Sequence, residues 1–357
     1  MEPANLGSDP SRAPARDGAP TDGSTATPSG RSAPRASLAS LAVFGTAALG
    51  VVQFYQPAHS LESRPFAEIT RSAATIPVVT PAADAFGKSG EVKVRFAMPG
   101  EAVVYPVEVQ GDRSALSYEW VRLGDQVTVG TPRSFAGDDV VAPPTPGFYR
   151  LAVVGGSERQ LVDGPTLGVL VPFSQKVGTM LNGYRIGTYV AERLGMADHP
   201  EGFIEVAQHD ADLPITRHLR LADFIAHDNQ DVWPRYTAVN PRLLDKLELV
   251  IAEIASERGD TSQVSVRVDV HSGFRTPAYN RRVPGAARDS RHQYGDAADV
   301  AIDANGDGRI SRADTRIIVR AVNAVEQNHP ELVGGLGLYR QPYVHIDARG
   351  YRKRWRG

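Results

Sequence analysis

Between residues 91 and 172 apolar and polar residues alternate with a period of two, and this pattern constrains the fold more than any other feature of the chain. The alternating runs include VKVRFAM at 92–98, LSYEWVRL at 116–123 and GFYRLAVVG at 147–155, separated by Gly, Pro and Asp. Alternate side chains of a strand face opposite sides of a sheet, so each run can bury one face. Short strands at this spacing predict a small all-β sandwich over 91–172.

The predicted sandwich resembles an immunoglobulin-like module that has no cysteines. Trp120 lies on one predicted strand, and the sequence PGFYRLAV at 146–153 forms a later one. In immunoglobulin-like folds a buried Trp packs between two antiparallel sheets. Two roles fit this pattern. The module is either a spacer or cell-wall-binding domain, or a purely structural domain.

The N-terminal region predicts a membrane anchor that follows a disordered tail. Residues 1–36 are rich in Pro, Gly and Ser and contain almost no large aliphatic side chains, which is typical of disorder. Within 37–55, the 18 uncharged residues from Leu38 would span about 27 Å as a helix, enough to cross a bilayer. Arg31 and Arg35 precede this segment, so the tail is expected in the cytoplasm. An uncleaved anchor is favoured over a signal peptide, and residues 56–90 are expected to be a Pro-containing linker.

Residues 175–357 predict a separate α+β unit, in which helices pack on an antiparallel sheet. Apolar residues recur at helical spacing in 184–194, 243–255 and 315–328. Alternation predicts strands over 264–270 and 343–347. The chain therefore combines an all-β module with an α+β domain.

Composition excludes several classes of protein. Hydrophobic residues make up 41% and charged residues 22%, which argues against a wholly disordered chain or a polytopic membrane protein. A formal net charge of −2 gives no basic footprint for nucleic acid across the whole chain. There are no cysteines, so any metal must be bound by His and carboxylate side chains.

The segment SRHQYGDAAD at 290–299 and the later VHID at 344–347 contain a complete ligand set for catalytic zinc. His292, Asp299 and His345 supply two imidazoles and one carboxylate. Catalytic zinc sites use three protein ligands and a water whose pKa falls to about 7. If 343–347 is a strand, His345 and Asp347 lie on the same face. The spacing therefore predicts a hydrolytic zinc centre with Asp347 beside it.

Four motifs in order resemble the zinc D-Ala-D-Ala carboxypeptidases of bacterial cell walls. They are SGFRTP at 272–277, SRHQYGDAAD, GGLG at 334–337 and HID at 345–347. The likeness covers about 175–357, is closest to the membrane- or periplasm-directed branch, and extends distantly to hedgehog-type domains. The resemblance implies that His292, Asp299 and His345 are the zinc ligands. It also implies that Arg275 stabilises the oxyanion or anchors the substrate.

This chain departs from the family pattern at the position of the general base. Many members have Glu or Asp three residues before the last ligand, where this chain has Pro342. Asp347 is the first substitute, since a carboxylate beside the zinc-bound water would accept its proton. Alternatively Asp347 only orients a ligand. Asp296 is a third candidate.

Residues 303–314 match the spacing of a calcium-binding loop similar to that of dockerins. Glycine stands at loop position 6, and the oxygen ligands expected at positions 1, 3, 5, 7 and 12 are Asp303, Asn305, Asp307, the backbone carbonyl of Arg309, and Asp314. Position 12 is usually Glu, so the shorter Asp predicts weaker binding. A surface turn rich in Asp and Gly is the alternative. If the loop binds calcium, it is expected to stiffen the wall of the zinc site.

Together these features predict a single-pass protein of the bacterial inner membrane with its C-terminal domains outside the cytoplasm. The expected activity is zinc-dependent hydrolysis of D-amino-acid peptide bonds in the stem peptides of peptidoglycan. A scaffold that binds the cell wall and retains the zinc fold without catalysis is the alternative, favoured by Pro342.

Overall fold

The computed structural model describes residues 78–110, 112–135, 139–259 and 266–357, and these belong to one compact unit. The predicted tail, the predicted anchor and residues 56–77 of the predicted linker lie outside the described residues. No helix within the described ranges is long and apolar enough to cross a membrane.

The first part of the described chain is built almost entirely from strands. They are β1 (Val79–Pro81), β2 (Val94–Ala97), β3 (Ala102–Val104), β4 (Val107–Val109), β5 (Leu116–Arg122), β6 (Thr128–Ser134), β7 (Asp139–Val141), β8 (Gly147–Gly155), β9 (Glu158–Leu161) and β10 (Thr166–Val169). The main sheet has the order β2-β10-β8-β5-β6, with β9 paired to β8. Two small sheets, β1-β4 and β3-β7, complete this part.

The main sheet is joined to the β3-β7 sheet through aromatic side chains. Trp120 Nε1 donates to the carbonyl of Val141 at 2.8 Å, and Tyr118 Oη accepts from the Val141 backbone N–H at 2.7 Å. Both rings are buried in a cluster with Leu151 and Val153. The predicted all-β character and the buried Trp120 are present, whereas the immunoglobulin-like topology stays a prediction.

The second part mixes strands and helices. Its strands are β11 (Val171–Pro172), β12 (Met180–Leu181), β13 (Tyr184–Arg185), β14 (Gly202–Val206), β15 (Arg235–Thr237), β16 (Val268–Ser272), β17 (Ala297–Ile302), β18 (Gly335–Leu338), β19 (Val344–Asp347) and β20 (Lys353–Arg356). Its helices are α1 (Val190–Arg193), α2 (Pro241–Glu257), α3 (Pro277–Asn280) and α4 (Arg312–Asn328). The sheet that organises this part has the order β16-β17-β19-β18-β20 and is antiparallel except for the β18–β20 pair.

Two long helices cover one face of this sheet. Leu244 and Val250 of α2 and Val322 of α4 lie in the same buried cluster as Val300 of β17 and Ile346 of β19. Because side chains alternate along a strand, Asp299 and His345 lie on the opposite face. The sheet therefore has one face packed against helices and one face that carries chemistry.

Predicted elements agree with the structure where helix signals are strong. Helix α2 begins after Asn240, whose side chain accepts from the Arg242 backbone N–H at 2.9 Å, and it contains the predicted helix 243–255. Helix α4 contains 315–328. The predicted helix 184–194 is wrong over most of its length, since 184–185 form β13 and only Val190–Arg193 are helical. The predicted strand 264–270 is found as Val268–Ser272, with 264–265 outside the described residues.

Candidate metal centre

Strand pairing places two of the three predicted ligands side by side. Asp299 of β17 is directly opposite His345 of β19 in the antiparallel register, and Ser272 of β16 lies opposite Asp299 on the other side. Gly337 of β18 is opposite His345. Side chains directly opposite in a sheet have Cβ atoms only about 5 Å apart. The carboxylate and the imidazole therefore meet because of the sheet register alone.

His292 reaches the same point from a single 3-10 turn, Arg291–Tyr294, that precedes β17. The turn ends at Gly295, which has φ 72°. A Cβ there would lie 2.3 Å from the carbonyl oxygen of Ala238, so only glycine fits both this conformation and this close approach. His292 Nδ1 is 2.7 Å from the carbonyl of Gly273 and donates to it. This contact directs Nε2 towards Asp299 and His345.

The three side chains converge with their lone pairs facing one another. His292 Nε2 lies 3.1 Å from His345 Nδ1, and Asp299 Oδ1 lies 3.2 Å from His292 Nε2 and 3.1 Å from His345 Nδ1. His345 Nε2 is 3.0 Å from Asp347 Oδ2, so its proton is placed on that nitrogen. With both outer nitrogens acting as donors, His292 Nε2 and His345 Nδ1 are acceptors that face Asp299 Oδ1.

This arrangement fits a divalent cation. Four ligands at zinc distances of 2.0–2.1 Å in tetrahedral geometry lie roughly 3.3 Å apart, close to the three separations observed. Among the described residues, His292, Asp299 and His345 form the one group of three such side chains whose ligand atoms lie within 4.8 Å of each other. Two imidazoles and a carboxylate are a zinc ligand set that leaves a fourth position for water or substrate.

Burial and mutual charge set the protonation of the ligands. His292, Asp299 and His345 are only 1%, 2% and 4% exposed, respectively. Burial lowers the pKa of His292, which keeps its imidazole neutral. Burial raises the pKa of Asp299, but the two imidazoles outweigh burial and the net pKa lies well below the usual range. The carboxylate is therefore ionised and available as a metal ligand.

Asp347 is held on the far side of His345 from the converging atoms. Its Oδ1 accepts from the backbone N–H of Gly335 at 2.6 Å, and Arg349 Nε donates to both of its oxygens at 2.9 Å. The carboxylate is fully buried, and burial raises its pKa, but the contacts with His345 and Arg349 lower the net pKa below the usual range. This geometry corresponds to the orienting role rather than to a base beside a bound water.

Glycine at 335 makes this orienting contact possible. A Cβ on Gly335 would lie 2.2 Å from Asp347 Oδ2, inside any permitted contact distance. The GGLG segment therefore lets the Asp347 carboxylate lie against the backbone of β18. This close contact explains why glycine is required at position 335.

Arg275 and Tyr339 flank the metal group. Arg275 Nη2 donates to Asp299 Oδ2 at 2.5 Å and its Nε to Ser272 Oγ at 2.8 Å. Tyr339 Oη donates to Asp299 Oδ1 at 3.3 Å, and burial raises the pKa of this phenol, so it remains a donor. Both residues line a cavity of about 450 Å³, and His292 and His345 also line it. Sequence reasoning found Arg275 but missed Tyr339, because no motif marks it.

The other two positions considered for the base differ in their surroundings. Asp296 is bonded to Arg291 through both oxygens and is 2% exposed. Pro342 lies in the turn between β18 and β19 and has no ionisable group. Neither residue offers a carboxylate to the cavity.

The predicted calcium loop is closed by its own hydrogen bonds. Asp303 accepts from the backbone N–H groups of Gly306 and Gly308 at 3.0 and 2.9 Å, and the Asn305 side chain donates to Asp307 at 3.0 Å. Asp314 accepts from the N–H groups of Ala304, Asn305 and Ser311, so both its oxygens are occupied. Arg309 donates its N–H to Asp307. Calcium at this loop stays a prediction.

The three side chains form a group that could hold a divalent metal ion. Residues 249–347 match the family model described as Peptidase M15, and this segment contains all three ligands and Arg275. The match supports a zinc metallopeptidase for this part of the chain. No curated protein matches the chain at a significant level.

Proposed function

We propose that the chain is a zinc metallopeptidase that hydrolyses D-amino-acid peptide bonds in the stem peptides of peptidoglycan, as a carboxypeptidase or an endopeptidase. The observation that carries the proposal is the convergence of His292 Nε2, Asp299 Oδ1 and His345 Nδ1 within 3.2 Å of each other, inside the segment that matches the peptidase family. The substrate bond follows from the resemblance of the four motifs to cell-wall carboxypeptidases.

Each residue of the centre has a distinct task in this proposal. His292, Asp299 and His345 would hold zinc, which when bound polarises a peptide carbonyl and lowers the pKa of a water molecule. Arg275 lines the cavity, and its guanidinium, which also donates to Asp299, would stabilise negative charge on the substrate. Tyr339 donates a hydrogen bond to the ligand carboxylate of Asp299. Asp347 holds the orientation and tautomer of His345.

The proposed location follows from the N-terminal sequence. Residues 37–55 anchor the chain in the bacterial inner membrane, and the peptidase lies outside the cytoplasm, where peptidoglycan is accessible. In chain order the all-β part follows the proposed anchor and precedes the peptidase, and we propose a role as a spacer or wall-binding module.

The test is mass spectrometry of purified peptidoglycan fragments incubated with the full chain and zinc. Loss of a terminal alanine identifies a carboxypeptidase, and opening of cross-links identifies an endopeptidase. The matched control is His345→Ala, which removes one ligand and should abolish either product. Unchanged fragments with zinc bound would contradict the proposed activity.

A non-catalytic scaffold is the second candidate, and Pro342 is the observation that favours it. The family's usual base position holds no carboxylate, and Asp347 is engaged by His345, Gly335 and Arg349. A scaffold would bind zinc and pellet with peptidoglycan without releasing any fragment. The same incubation distinguishes the two candidates if binding and products are both measured.

A further inference from the structure

The C-terminal strand β20 lies outside the segment that matches the peptidase family, yet it belongs to the same sheet as two of the metal ligands. The match ends at residue 347, and β20 pairs in parallel with β18, where Trp355 is opposite Gly337. Gly337 is also opposite His345, and His345 is opposite Asp299. Residues opposite one another in neighbouring strands point to the same face of a sheet. Trp355 therefore lies in one row with Asp299 and His345.

Gly337 leaves the space that the indole of Trp355 occupies. A Cβ on Gly337 would lie 2.4 Å from Cε2 and 2.5 Å from Cζ2 of Trp355, which is far inside van der Waals contact. The indole therefore lies across Gly337 and reaches towards the next strand. Its ring centroid is 4.9 Å from that of the His345 imidazole, at an interplanar angle of 55°. Trp355 thus packs beside a metal ligand, although the two residues belong to strands that are not neighbours.

A second contact restrains the indole. The guanidinium carbon of Arg349 lies 5.7 Å from the centroid of the Trp355 ring, within the range of a cation–π contact. Arg349 Nε also donates to both oxygens of Asp347, and Asp347 Oδ2 lies 3.0 Å from His345 Nε2. Trp355 is therefore held in place by the same pair of residues that orients His345, before any substrate binds.

Trp355 supplies an apolar surface to the cavity of about 450 Å³, which is also lined by the two imidazole ligands and by Arg275. Arg275 donates to Asp299, the ligand that His345 separates from Trp355 in the row. The indole is half-buried, so part of its surface is open to a ligand. A substrate carbonyl at the metal would thus have a guanidinium on one side and an apolar ring on the other.

We propose that Trp355 is a specificity-determining residue, whose indole packs against the side chain of the D-amino acid next to the cut bond and restricts that side chain to a small apolar group such as the methyl of alanine. Burial of the methyl against the indole stabilises the bound substrate. A bulkier side chain would need the space that the indole occupies, and overpacking destabilises the complex. This inference rests on the proposed function, because it names the part of the stem peptide that β20 recognises.

Two probes that need no hydrolysis test this role. The first is D-Ala-D-Ala with a phosphinate in place of the amide bond, and the second is the same compound with isobutyl groups in place of both methyl groups. Isothermal titration calorimetry with the full zinc-loaded chain gives the dissociation constant of each probe. The unaltered chain should bind the methyl probe more tightly, and preference for the isobutyl probe would contradict the proposal.

Substitution of Trp355 should change the selection between the probes. Trp355→Ala opens the space beside His345, so the ratio of the isobutyl to the methyl dissociation constant should fall by about 10-fold, as for other changes of apolar volume in binding sites. Trp355→Phe retains an aromatic ring and should lower the ratio by less; it decides the test if Trp355→Ala does not fold. The control is Trp233→Ala, which removes an exposed tryptophan outside the cavity and should leave the ratio unchanged.

Zinc affinity, measured by competition with a chromophoric chelator, separates substrate selection from support of the metal ligand. A lower ratio at unchanged zinc affinity supports the proposal. An unchanged ratio would overturn it, and so would equal weakening of both probes together with zinc, because Trp355 would then only support His345. Failure of the unaltered chain to bind either probe would also overturn it.

The outcomes for the two proposals are distinct. Binding that selects the methyl probe through Trp355, without cleavage of peptidoglycan, would contradict the proposed function alone. Cleavage of peptidoglycan with a ratio that Trp355→Ala leaves unchanged would contradict this inference alone. Circular dichroism of each variant confirms that the fold is retained.

Discussion

Asp347 is the residue at which two chemical interpretations of the metal centre differ. Replacing it by Asn keeps the size of the side chain but removes the charge that His345 Nε2 and Arg349 contact. If Asp347 orients His345, Asp347→Asn should weaken zinc binding about 10- to 100-fold, as for other residues that support metal ligands. Competition with a chromophoric chelator measures this affinity directly.

The matched control for this prediction is Asp296→Asn. Asp296 is also a buried aspartate paired with an arginine, but it contacts none of the three ligands. Its substitution should leave zinc affinity unchanged. If Asp347→Asn retained full zinc affinity and lost hydrolysis, the orienting role would be refuted in favour of the general base.

At the residue scale, the group of three candidate ligands could be predicted from the sequence, whereas the residues that support it could not. His292, Asp299 and His345 could be found because only a few residue types bind zinc in a chain without cysteine. Tyr339 and the contact between Asp347 and Gly335 depend on which strands pair and in what register. Register is set by long-range packing, which a local pattern does not reveal.

At the scale of elements, Asp314 joins the loop at 303–311 to the N-terminus of α4, which it caps together with Ser311. Asp314 accepts hydrogen bonds from the backbone of Ala304, Asn305 and Ser311, and from Ser311 Oγ at 2.9 Å. Burial raises its pKa, but these hydrogen bonds outweigh burial and the net pKa is lowered. A carboxyl group whose pKa is lower in the folded than in the unfolded protein stabilises the fold at pH values above its unfolded pKa. This stabilisation is lost as the pH falls through the folded pKa.

Asp314→Asn should therefore reduce the free energy of unfolding by about 1–3 kcal/mol at neutral pH, as expected for hydrogen bonds to a charged group. The difference in the free energy of unfolding between the variant and the unaltered chain should narrow below about pH 4, where the carboxyl of the unfolded chain is protonated. Urea unfolding at several pH values measures this difference. Asp307→Asn, at an exposed position of the same loop, should have a much smaller effect. A difference independent of pH would contradict the electrostatic cause.

Calcium binding to 303–314 is tested by thermal unfolding of the metal-free chain. If the loop binds calcium only when folded, calcium at 100 times the dissociation constant should stabilise the protein by about 2.7 kcal/mol. Asp303→Asn should remove this response, and Asp231→Asn, at an exposed acid outside the loop, should not. An unchanged melting temperature on calcium addition would show that the loop is a hydrogen-bonded turn.

Helices with clear start signals were predictable, and the short elements around 184–194 were not. Helix α2 has Asn240 before Pro241, and α4 has Ser311 three residues before Asp314, so capping and apolar spacing agree. Segment 184–194 also has helical spacing, but Gly187 adopts φ 94° and its backbone packs against Ala278. A tertiary contact therefore overrides the local preference.

At the scale of the whole molecule, the all-β part and the α+β part share buried side chains. Val92, Val94 and Phe148 lie in the same cluster as Ile204 and Leu244. A second cluster, which contains Phe135 and Trp120, belongs to the all-β part alone. The sequence predicted two domains at 91–172 and 175–357, because the period of the pattern changes there. Shared burial favours cooperative unfolding of both parts, since neither covers its apolar surface alone.

Phe148→Ala and Phe135→Ala test this cooperativity. Both side chains are almost fully buried, at 3% and 2% exposure, and each truncation should cost about 3–5 kcal/mol. In differential scanning calorimetry the unaltered chain should show one unfolding transition for these two parts. Both variants should lower the temperature of this transition, and the temperature at which zinc is released should fall with it. Two separate transitions, of which Phe135→Ala moves only the one that does not release zinc, would show that the all-β part is an independent domain. The position of Phe148 between the two parts would then have no consequence for the stability of the metal centre.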